Sequence, residues 1–183
     1  MTMRYPRLLS ALFLPGLIAL QTAEARQTAL GPPVARREAA LTIVAGYESP
    51  LAVEGLDVSG KPLFVPADRA DLFLSVDIRA GKGNKNGFGA GEFVPYLSVT
   101  YTLQRKGGPK SPQGLLSPLI TSHGMRYGNN VTLAGPGTYA LTVTVAPPIT
   151  VGFGRHTDLE TGVSRWWKPF RVEWTFTYAP STK

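Results

Sequence analysis

The sequence predicts an all-β sandwich of about seven or more short strands, and three observations carry that prediction. Glycine and proline are abundant, 20 and 16 in 183 residues, and they separate short apolar runs. Those runs alternate apolar with mixed residues, as at Leu72, Leu74, Val76 and Ile78, and show no helical period. A hydrophobic content of 43% is enough to build one core.

The chain begins with a targeting pattern. Arg4 and Arg7 form a basic start, Leu8 to Leu20 an apolar stretch broken by Pro15, and Ala23-Glu24-Ala25 a small-residue cleavage signal. Residues 1–25 therefore read as a cleaved secretory signal peptide that sends the protein to the periplasm. Thirteen apolar residues fall short of the roughly 20 that span a bilayer, so the exported chain is not membrane-spanning. Residues 26–40, with Gly31-Pro32-Pro33 and Arg36-Arg37-Glu38, read as a flexible lead-in, and 41–183 as a single sandwich domain.

Strands are predicted at 41–47, 72–79, 94–105, 114–121, 130–133, 138–146 and 170–178, each bounded by turn residues. In "GPGTYALTVTV", Tyr139 follows a turn and opens an alternating strand. That is the placement of a tyrosine corner, which makes the sandwich immunoglobulin-like. In "ADLFLSVDIRA" the face of Leu72, Leu74, Val76 and Ile78 belongs to the core. The opposite face mixes Phe73 with Asp71, Ser75, Asp77 and Arg79, and Phe73 is a poor residue for open water.

Chemistry-bearing patterns are few. There is no cysteine, hence no disulfide and no thiolate ligand, and no G-x-S-x-G element. With only His123 and His156 available, a catalytic triad has no basis, and the chain reads as a non-enzyme. The glycines of "GKGNKNGFGAGEF" fit neither phosphate-loop spacing and precede no helix, so they read as a structural loop. Without residues 1–25 the chain holds 17 basic and 11 acidic side chains, scattered and without a basic run, which argues against a nucleic-acid partner. His156, Asp158 and Glu160 lie in one turn-rich stretch beside Trp166 and Trp167, where a cation could be met.

Two long motifs go further. "KGNKNGFG" and the "HTDLETGVSRW" stretch, with "YGNNV" and "GPGTYALTV", resemble the periplasmic ferrous-iron transport protein family over about residues 41–178. The resemblance implies an immunoglobulin-like sandwich that forms a homodimer beside an inner-membrane iron permease and binds copper or iron near the subunit interface. It also implies where ligands belong. The family's histidine and glutamate on one strand fall at Phe73 and Ser75, a further histidine at Arg79, and its methionine and histidine at Leu119 and Arg126. Only His156 matches a family ligand. A guanidinium held about 5 Å from a divalent cation costs about 6 kcal/mol at an effective dielectric of 20.

Two alternatives follow from that divergence. His123 and Met125 are relocated donors in the segment that lost its methionine and histidine, soft ligands suited to copper(I). Arg79, Arg126 and Arg155 form instead an anion-binding set for a carboxylate ligand or metal chelate, since arginine presents a fork of donors. A third reading is a metal-free interaction protein of the cell envelope.

Overall fold

The computed structural model describes residues 27–108 and 110–180. The signal-peptide reading of 1–25 lies outside them. Among the described residues ten strands form two antiparallel sheets, which establishes the β-sandwich. They are β1 (Thr28–Ala29), β2 (Val34–Arg36), β3 (Leu41–Glu48), β4 (Leu72–Ala80), β5 (Ser98–Arg105), β6 (Lys110–Leu115), β7 (Ser117–Thr121), β8 (Gly124–Val131), β9 (Gly137–Ala146) and β10 (Phe170–Tyr178). One sheet runs β1-β3-β4-β8-β7, with β2 also on β3; the other runs β10-β9-β5-β6.

The core lies between the sheets and is built by the alternation seen in the sequence. Ile43, Leu74, Val76 and Ile78 on one side meet Val99, Leu103, Leu141, Val143 and Val145 on the other, all at 0% exposure. Tyr139 makes the corner: its hydroxyl donates to the Gly135 carbonyl at 2.6 Å, and its ring stacks on Phe176.

Three departures from the predicted strands have local causes. Residues 26–40 are not wholly a lead-in, because β1 and β2 pair along β3 through Thr28↔Tyr47 and Val34↔Ile43. The single run expected at 114–121 divides at buried Leu116, where the chain passes from one sheet to the other. The strand expected at 130–133 starts earlier, at Gly124, because Gly124 to Gly128 pair with β7, and Tyr127 and Gly128 with β4 as well, despite lacking an apolar alternation.

Asn129 and Asn130 of the "YGNNV" motif explain how the segment of residues 50–65 is held on the sheet. The Asn130 amide accepts from Leu51 N and donates to the Leu51 and Val65 carbonyls. Asn129 accepts from Val65 N and donates to Leu63 and Leu115 carbonyls. A side-chain amide can serve a strandless segment in both directions, which satisfies backbone groups that have no ladder.

Candidate functional site: the outer face of the six-stranded sheet

Residues paired across strands project from the same face, so register alone places the implied ligand positions. Glu48, Phe73 and Asn130 form one rung, and Gly46, Ser75, Gly128 and Ser117 the next. Leu119 stands opposite Arg126. Phe73, Ser75, Leu119 and Arg126 therefore meet on one outer face across β4, β8 and β7.

That face is filled rather than open. Phe73 is fully buried and lies over Gly128, where an added Cβ would stand 2.4 Å from the ring. Ser75 is equally buried; its hydroxyl accepts from Gln27 Nε2 at 2.8 Å, and the Gln27 side chain covers Gly46. Arg126 Nη1 donates to Glu48 Oε1 at 2.8 Å, with side-chain exposures of 12% and 8%. Leu119 contributes to an apolar groove with Leu51, Leu63, Phe64, Pro118 and Ile120. Glycine at 46 and 128 makes room for large side chains above the sheet, so the two small residues and Phe73 are one packing solution.

The donor set does not suit a metal ion. Phenylalanine and leucine offer no lone pair, and a guanidinium offers only donors and a fixed positive charge. Glu48 neutralises that charge, so the missing donors, more than repulsion, decide the matter. Among the described residues no group of three or more His, Asp or Glu side chains is placed to hold a metal ion.

Of the remaining candidates, Arg79 lies further along β4 on the side of Phe73 and Ser75, and Arg155 and His156 belong to the loop of residues 152–169. His156 Nε2 is 2.8 Å from Asp158 Oδ2, and both side chains are more than half exposed. Their loop closes on itself through Val163 N to the His156 carbonyl and Gly162 N to the Asp158 carbonyl. A Cβ at Gly162 would sit 2.4 Å from the Asp158 oxygen, which explains the glycine of "HTDLETG". The loop docks on the glycine-rich segment: Ser164 N bonds the Lys85 carbonyl, and the Asn86 amide bonds the Ser164 and Arg165 carbonyls. The glycine-rich segment is thus a docking platform for the 156–165 loop. Trp166 and Trp167 meet edge to face, 5.7 Å apart.

The arginines are each engaged within the chain. Arg79 Nε donates to Asp77 Oδ2 at 2.7 Å and its Nη1 to the Gly91 carbonyl. Arg155 donates to the Val163 carbonyl. His123 sits at the β7–β8 turn and Met125 at the start of β8, across from Ile120. Glu48 and Gln27 are the participants that sequence reasoning missed. Both lie far along the chain from their partners, and no local spacing announces the pairing.

Fold and site together define a two-sheet sandwich with a packed outer face and no assembled catalytic constellation among the described residues. The chain belongs to the Fe2+ transport protein family, whose profile matches residues 27–180. It is 38% identical over 178 residues to a UPF0423 protein of Brucella abortus, covering 95% of this chain and 94% of that one. FetP of uropathogenic Escherichia coli, a recombinant protein expressed in the periplasm, is 39% identical with a TM-score of 0.77, over 86% of this chain and 99% of its own. Copper-reconstituted P19 of Campylobacter jejuni is 33% identical with a TM-score of 0.78, over 86% and 99%. This is a family of iron-transport proteins and not of enzymes.

Proposed function

We propose that the protein is a periplasmic accessory protein of iron uptake, exported by removal of residues 1–25, that works as a homodimer beside an inner-membrane iron permease. Membership in the Fe2+ transport protein family supports the pathway, and the likeness to FetP supports the compartment. In this reading the outer sheet face serves as a packed structural surface, and the copper or iron position implied for relatives is not used here. The observation that carries this is the largely enclosed Glu48–Arg126 pair on the face where Phe73, the cross-strand partner of Glu48, is buried.

The test is genetic and biochemical. Deleting the gene should slow growth and radioactive iron accumulation under iron limitation, with restoration by the wild-type gene. A permease should co-purify with the tagged protein from cross-linked envelopes, and sedimentation should give a dimer. Unchanged iron accumulation in the deletion strain would overturn the proposal.

A further inference from the structure

The β7–β8 hairpin carries chemistry that the packed face does not use. Met125 is the sole methionine among the described residues, and it stands two positions from one of the chain's two histidines. It is 47% exposed, and its cross-strand neighbour Ile120 is 79% exposed. A thioether left open beside an aliphatic side chain is available for coordination and has an apolar neighbour that limits competition from water.

The turn that presents His123 is braced at several points. Thr121 Oγ1 accepts from His123 N at 3.2 Å and donates to the Gly124 carbonyl at 3.0 Å. Arg126 Nη2 reaches the same hydroxyl at 3.3 Å while Nη1 holds Glu48. The hairpin tip is thereby tied to the sheet interior. On the imidazole, Ser122 Oγ lies 3.2 Å from Nδ1. With Nδ1–H donating to that oxygen, the lone pair falls on Nε2, which is the tautomer a ligating histidine needs.

We propose that His123 Nε2 and Met125 Sδ form a site for a soft monovalent metal ion, of which copper(I) is the physiological example. Residues two apart have Cα atoms about 6 to 7 Å from each other, within convergent reach of an imidazole and a thioether. One nitrogen and one thioether suit a soft ion of low coordination number and do not suit magnesium or calcium, which take oxygen ligands. A single positive charge also meets half the repulsion that a dication would meet from Arg126 and from Arg79, whose Nη2 would be 3.9 Å from a Cβ at Gly124, and Glu48 and Asp77, their ion-pair partners, offset that further.

The experiment uses the full chain with 13C-methyl methionine, titrated with silver(I) as a redox-inert surrogate, and with copper(I) under anaerobic competition against a chromophoric chelator. The Met125 methyl signal, assigned by its loss in Met125→Leu, should shift until one equivalent is bound. Met125→Leu and His123→Gln should each weaken binding at least about tenfold, equivalent to 1.4 kcal/mol, while His156→Ala should leave it unchanged. A Met125 methyl that does not move, affinity that survives both hairpin substitutions, or loss of binding in His156→Ala would each overturn the proposal. These readouts are independent of iron uptake, so failure of this site and failure of the uptake role are distinguishable.

Discussion

Arg126 Nη1 lies 2.8 Å from Glu48 Oε1, joining β8 to β3 across β4, with both side chains largely out of water. Breaking such a pair from one side leaves a buried charge without its partner. Arg126→Met should therefore lower stability by about 3 to 5 kcal/mol, read as a fall in the urea midpoint. Adding Glu48→Gln should recover most of the loss, because the stranded charge is gone.

Phe73 and Gly128 form a second coupled pair. Phe73→Ala should cost about 3 to 5 kcal/mol through the cavity it leaves. Gly128→Ala should cost about 1 to 3 kcal/mol through overpacking, since its Cβ would stand 2.4 Å from the ring. Phe73→Ala combined with Gly128→Ala should cost less than the sum of the two singles, because the shortened side chain leaves room for the added Cβ. Chemical unfolding of the four proteins in this double-mutant cycle measures the coupling.

Tyr127 predicts a dependence on alkaline pH. Burial pushes its phenol well above the ordinary range, opposed by the bond it accepts from Leu97 N, and it donates to the Val94 carbonyl at 2.8 Å. A raised folded value means stability is fully present below the unfolded value of about 10 and is lost as pH rises above it. Unfolding midpoints should fall between about pH 10 and 12, and Tyr127→Phe should flatten that decline while lowering stability at neutral pH.

The tyrosine corner is the simplest single-bond test. Tyr139→Phe removes the bond to Gly135 but keeps the ring against Phe176. A loss of about 1 to 2 kcal/mol is expected, read as a fall in the urea midpoint.

Much of the sandwich was legible because its core strands alternate, as β5, β9 and β10 do. The passage at Leu116 was not, since an extended run looks the same whether it stays in one sheet or changes to another. Pairing of β8 was also hidden, because "GMRYG" has no apolar rhythm and is recruited along its length by β7, with β4 joining only at Tyr127 and Gly128. At the candidate site, resemblance located Phe73, Ser75, Leu119 and Arg126, and register confirms that they share one face. What fills that face depends on Glu48 and Gln27, contacts over long sequence separations that no motif encodes.

We propose that this face, closed by side chains, takes up no metal ion. Anomalous diffraction at the copper absorption edge, from crystals equilibrated with copper, tests it most directly. No anomalous density is expected between Phe73, Ser75, Leu119 and Arg126, with the Glu48–Arg126 pair intact. A copper peak among those residues, with Arg126 swung away from Glu48, would contradict it.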